Sequence, residues 1–147
     1  MSELLNDKPG MSFWLIGGAA LIWNLLGIFA YYMQVTATAD TWAAAGYTAE
    51  QIAALQAIPA WATGGSGLAT TCGVLGSVLL LVRKSLAVPI FIVSFVGLLL
   101  QNLHAFVLAD TIAAFGMTPV YIQTTVMIIA VLLIWYSRRC GARGWLS

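Results

Sequence analysis

Four stretches of the chain, roughly residues 11–35, 60–82, 86–108 and 119–137, run apolar with no Asp, Glu, Lys or Arg inside them. Each is near the ~20 residues an α-helix needs to cross a ~30 Å hydrocarbon core. Small and polar residues recur within them by threes and fours. The first run has Gly17, Ala20, Asn24, Gly27, Tyr31 and Gln34, and the second has Ala62, Ser66, Ala69, Gly73 and Gly76. In the third the series is Ala87, Ser94, Gly97, Gln101 and His104, and in the fourth Gln123, Met127 and Ala130. That spacing places each set on one stripe of a helix. Lipid tails cannot solvate an amide or an imidazole, so such groups turn inward, while Gly, Ala and Ser let backbones approach. The pattern predicts an all-α fold: one integral membrane domain over residues 1–147, built as a four-helix transmembrane bundle.

The connections are short except the first. Over residues 36–59, Thr48 and Gln51 have capping-box spacing, with Glu50 in the first turn near the positive end of the helix dipole. This predicts a short helix over about residues 49–58, with Ile52 and Leu55 as a narrow apolar face lying at the membrane interface. Pro59 separates it from the second span or opens that span. The "RKSLAVP" turn makes spans two and three antiparallel neighbours. "DTIAAFGMTP" reads as a short loop, with Thr118 capping span four and Pro119 at its first position.

Charge sets the expected orientation. Lys8, Arg83, Lys84, Arg138, Arg139 and Arg143 all fall on one side of a four-crossing chain, and Asp40, Glu50 and Asp110 on the other. The positive-inside rule then puts both termini in the cytoplasm. Glu3, Asp7 and Lys8 do not make a basic signal-peptide start, and the first apolar run is too long for one, so a retained helix is expected. Aromatic residues suit the same frame, with Phe13, Trp14, Trp135 and Tyr136 at the inner interface and Tyr31, Tyr32, Trp61 and Tyr121 at the outer one.

Composition agrees with the class: 61% of residues are hydrophobic and 7% charged, against about a quarter charged in soluble domains. A formal charge of +1 implies no nucleic-acid partner. The lipid bilayer is the expected partner, and a homo-oligomer would be compatible with so small a chain. Cys72 and Cys140 lie at different depths, with no CxxC, which gives no support to a disulfide. One histidine cannot supply bis-histidine haem ligation, and neither a nucleophile–base pair nor a metal-ligand cluster is visible, so no enzyme activity, cofactor or metal is expected.

The candidate site is the polar intramembrane set Asn24, Gln101, His104 and Gln123. Asn24 should lie near the bilayer centre and the other three in the outer half, where they can cluster. His104 is expected to face protein and hydrogen-bond across helices to Gln123 or Asn24.

Several stretches carry a resemblance: "ALIWNLLGIFAYYMQV", "AEQIAALQAIPAWA", "LLLVRKSLAVPIFIVSFVGLLLQ" and the closing "RRCGARGWL". The chain resembles, over nearly its whole length, bacterial four-span inner-membrane proteins of uncharacterised function that often bear the label "sugar transporter". The resemblance implies the bacterial inner membrane as its location. Members of that group often have an acidic residue where this chain has Ala30, so a proton-coupled role based on that carboxylate loses its support here. The leading functional reading is a structural or accessory membrane protein. The alternative is a small, dimeric transporter of a sugar or similar polar solute, with Asn24, Gln101, His104, Gln123 and Trp61 facing the solute.

The orientation is testable by labelling. In a chain with Cys72 and Cys140 replaced by Ser, Glu50→Cys is expected to react with a membrane-impermeant maleimide added from outside intact cells. Reaction only from the cytoplasmic face would reverse the topology.

Overall fold

The computed structural model describes residues 8–147. Glu3 and Asp7, which entered the argument against a signal peptide, lie outside the described residues. Among these residues the chain forms helices and no strand, and four helices are long and apolar enough to cross a membrane. They are α1 (Met11–Thr36), α4 (Ala60–Leu81), α5 (Ala87–Leu103, continued by a π-helical turn over His104–Leu108) and α7 (Thr118–Ala142). Three short helices, α2 (Ala39–Ala44), α3 (Ala49–Gln56) and α6 (Thr111–Phe115), join them at one end. The chain is therefore a multi-pass helical membrane protein. Its basic residues lie at the end holding the α4–α5 turn and the start of α1. The three short helices form the opposite, acidic end.

Neighbouring helices pair in chain order, α1 with α4, α4 with α5, and α5 with α7, and the α4–α5 interface is the most extensive. Helix α4 is the centre of the bundle because its buried faces are made almost entirely of small residues. Ala62, Gly65, Ser66, Ala69, Gly73, Gly76, Ser77 and Leu80 are all buried. Its small residues serve two faces. Towards α1, Leu81, Gly73, Thr70 and Gly67 meet Gly17, Asn24, Gly27 and Tyr31, an antiparallel register with one step of seven to eight residues followed by steps of three to four. Towards α5, Gly65 and Ala69 meet Gly97, and Gly76 lies under the Phe91 ring. At Gly97 the two backbones approach so closely that a Cβ would sit 2.6 Å from the Gly65 carbonyl oxygen and 2.7 Å from the Ala69 nitrogen. The Ser94 hydroxyl closes this crossing by donating to the Ala69 carbonyl at 2.6 Å.

The basic end is sealed. Phe13, Leu80, Ala87, Phe91, Leu133, Cys140 and Trp145 form one apolar cluster there. Beyond α7 the chain folds back over the α4–α5 turn. The Ser147 amide donates to the Arg83 carbonyl (2.7 Å), the Ser85 amide donates to the Ser147 carbonyl (2.8 Å), and Arg83 Nε donates to the Trp145 carbonyl (2.7 Å). Arg83 holds φ of +61°, a left-handed conformation that costs a non-glycine residue ~1–2 kcal/mol and that these bonds offset. The Trp145 ring packs edge-on against Phe13 at 5.8 Å, with the Arg143 guanidinium 5.0 Å from its centroid.

The acidic end is roofed rather than filled. Thr48 and Gln51 form the expected capping box of α3, and the Gln51 side chain also donates to the Ala114 carbonyl of α6 at 3.1 Å. Trp42, Tyr47 and Phe115 make an edge-to-face chain that ties the α2–α3 loop to α6, with centroid spacings of 5.0 and 6.3 Å. Leu55 of α3 faces a cavity beneath this roof. Two details differ from expectation. The segment read as a plain loop contains α6, capped by Asp110, which accepts from the Ala113 amide at 3.2 Å. Thr118 is the first residue of α7 rather than its cap. The turn at Gly116, with φ of +72°, lets helical geometry begin one residue early at Met117.

The α4–α5 crossing supplies a stability test. Gly97→Ala is expected to lower unfolding free energy by about 1–3 kcal/mol in a detergent unfolding titration, because rigid backbone must move to admit the methyl. Gly64→Ala, where a Cβ meets nothing within 4 Å, is expected to be neutral or stabilising by up to ~1 kcal/mol.

Candidate functional site

Three of the four candidate residues line one space. Gln101 of α5, His104 of the π turn and Gln123 of α7 surround a cavity of about 300 Å³ at the acidic end. Gln34 from α1, Ser66 from α4 and Asp110 join them, and Leu55, Ile58, Phe106 and Phe115 supply apolar wall. No Lys or Arg is among the lining residues.

The π turn shapes this cavity. It closes with the Ala109 amide donating to the His104 carbonyl at 2.7 Å, an i→i+5 bond. Continued as an α-helix, the stripe of Gln101 and His104 would run on to Leu108. The wider turn re-registers the chain, so Phe106 and Ala109 line the cavity and Leu108 is 64% exposed.

Asn24 lies elsewhere. Its Nδ2 donates to the Ala20 carbonyl at 2.9 Å and to the Ser77 hydroxyl at 3.1 Å. Ser77 in turn donates to the Gly73 carbonyl at 2.8 Å. The Asn24 side chain fits against α4 because Gly73 has no Cβ there. A second cavity, about 260 Å³, opens beside it between α1 and α7, with α4 and α5 at its back. It shares no lining residue with the first, and its walls are mainly apolar. The single polar path from Asn24 to the His104 region is therefore absent from the arrangement of these two cavities.

His104 does not make the expected hydrogen bond. It is half-buried with its ring edge-on to Trp61 at a centroid spacing of 5.7 Å, and neither Gln123 nor Asn24 is its partner. Asn24 is committed to Ser77 deeper in the bundle. Gln123 stands across the cavity with its Oε1 buried and unpaired among the described residues. This contrasts with the other polar groups inside the spans. Asn24, Thr70, Ser77, Ser94 and Asn102 all donate to nearby carbonyls or hydroxyls. A buried acceptor left without a donor costs ~1–3 kcal/mol, and the lipid side of the bundle offers no water to relieve it. The oxygen is enclosed by neighbouring atoms and has no partner among the described residues.

Sequence reasoning missed Asp110, Phe106 and Phe115 as lining residues. Gln34 was visible as the last member of the α1 stripe. Nothing in the sequence marks the π turn that brings in Phe106. Trp61, expected to face a solute, touches His104 from outside the lining set.

These features define a four-span helical membrane protein, closed at its basic end and holding at its acidic end a mainly apolar cavity with several polar side chains in its wall. Comparisons with protein-family models, with curated proteins and with solved structures return no match.

Two substitutions separate satisfied from unsatisfied polar groups. Asn24→Leu is expected to destabilise the bundle by ~1–3 kcal/mol by stripping partners from Ser77 and the Ala20 carbonyl. Gln123→Leu, similar in volume, is expected to be neutral or stabilising by ~1 kcal/mol in the same unfolding titration, since it removes an unpaired amide.

Proposed function

We propose that this chain is a structural or accessory protein of the bacterial inner membrane, with both termini cytoplasmic, that works as part of a larger assembly. One observation supports this reading above others. The helices pair in a row, and α7 has only Leu133, Ser137 and Cys140 buried, all towards its basic end. The rest of α7 and the open side of α1 offer apolar and small-residue surface to a neighbouring chain, within a second protomer or another membrane protein. The segregation of all six Lys and Arg residues from Asp40, Glu50 and Asp110 supports the orientation.

Native mass spectrometry of the protein released from lipid nanodiscs tests the assembly. A defined oligomer or fixed-stoichiometry complex is expected. A uniform monomer across detergents and lipids would count against the reading.

A second reading, a small transporter of a polar solute, is favoured by one feature. The cavity with unpaired polar side chains lies at one end of the bundle while the opposite end is sealed by the folded-back tail. That arrangement suits a site accessible from one face. Proteoliposomes loaded against a panel of sugars are the direct assay, and uptake unchanged by both His104→Ala and Gln123→Ala would exclude this cavity from the path.

A further inference from the structure

The acidic-end cavity is asymmetric in its chemistry. It has one charged side chain in its wall, the exposed carboxylate of Asp110, and no basic one. Asp110 uses one carboxylate oxygen to accept from the Ala113 amide. No cation faces it from the lining elements, since α1, α3, α4, α5, α6 and α7 contribute no Lys or Arg to the cavity and His104 is its sole imidazole. All six basic residues stand at the other end of the bundle or beside it. The remaining wall is apolar and aromatic.

We propose that this cavity binds a small amphiphilic primary amine in its protonated form, its ammonium group held by Asp110 and its apolar body lying against Leu55, Ile58, Phe106 and Phe115. This holds under either reading of the chain's role and rests on neither. Hydrogen bonds from an ammonium to a carboxylate are about twice as strong as neutral ones, which sets the cation above an alcohol of the same shape. An anion meets an uncompensated carboxylate and finds no basic partner, so it is rejected. A volume of about 300 Å³ fits a compact ligand and is at the lower end for small-molecule sites. The π turn contributes by bringing Phe106 into the wall, and single π turns are often found at binding sites.

A matched set of probes tests the proposal: phenethylammonium, phenethyl alcohol and phenylacetate share a ring and differ in the head group. With the full chain in phosphatidylcholine nanodiscs at neutral pH, equilibrium dialysis of labelled phenethylammonium is expected to show saturable binding. Its affinity should exceed that of phenethyl alcohol by about tenfold, one charge-assisted bond's worth, and phenylacetate should not bind saturably. Asp110→Asn keeps a side chain able to cap α6. It should remove the preference for the ammonium while leaving alcohol binding in place, which also shows that the cavity is intact. Asn102→Ala, outside the cavity, should change neither. A repeat in nanodiscs containing phosphatidylethanolamine distinguishes the source of the amine: competition by the lipid assigns the site to its head group, and unchanged affinity assigns it to a free amine. No saturable binding, equal affinity for the ammonium and the alcohol, preference for phenylacetate, or an unchanged preference in Asp110→Asn would each overturn the proposal.

Discussion

The bundle depends on how closely α4 and α5 approach. In lipid, helices gain little from hiding apolar side chains, because the tails around them are equally apolar; packing contacts and interhelical hydrogen bonds must hold them. At Gly65, Ala69 and Gly97 the two backbones meet without side chains between them, and the Ser94 hydroxyl reaches directly to the Ala69 carbonyl. With α5 held there, α4 presents its other face to α1, where Gly73 leaves room for Asn24 to reach Ser77. Helix α7 then leans on α5 at the basic end, where Leu133 and Cys140 join the sealed cluster. Each later contact takes its position from that first crossing.

The two ends of the molecule apply opposite rules to the same kinds of residue. At the basic end, Phe13, Leu80 and Cys140 are almost wholly buried, and the returning tail pairs its backbone with the α4–α5 turn. At the acidic end, short helices span the gap with caps and aromatic edges and leave space under them. Polar side chains follow this division in part, since the Trp145 indole nitrogen at the basic end is also buried without a partner among the described residues. Those deep in the helix interfaces are satisfied within the chain, and Gln123 under the roof is not. A protein selected only for packing gains nothing from the second arrangement, because a Leu there would remove the desolvation cost.

The four crossings could be read from the apolar runs, to within a residue at seven of their eight ends. The exception is the end of α7, which continues to Ala142 past Arg138 and Arg139. Hydropathy marks where hydrocarbon ends, whereas backbone hydrogen bonding continues into the head-group region, with Arg139 over Trp135 at 5.4 Å. The stripes also predicted the facing residues well: every small residue singled out on α4 is buried. What they missed was that α4 packs on two sides, so that Ser77, one place off the stripe, is the partner of Asn24. The convergence of Gln101, His104 and Gln123 followed from depth and helix face. Their lack of mutual bonds did not, since it depends on the width of a cavity set by α3 and α6. Helices α2 and α6 are too short for periodicity to reveal, and Thr38 and Asp110 cap them.

The π turn gives chain length an unusual leverage over this cavity. A π turn holds one residue more than an α turn needs over the same rise. Loss of a single residue between His104 and Leu108 would let α5 finish as an ordinary helix with nothing else in the bundle disturbed. The helix would then present a different face to the space beneath the roof, and Phe106 would leave its wall. In most loops an insertion or deletion of one residue is absorbed at the surface. Here the surplus residue is stored inside a transmembrane helix, where it shapes the wall of the cavity that holds Gln101, His104 and Gln123.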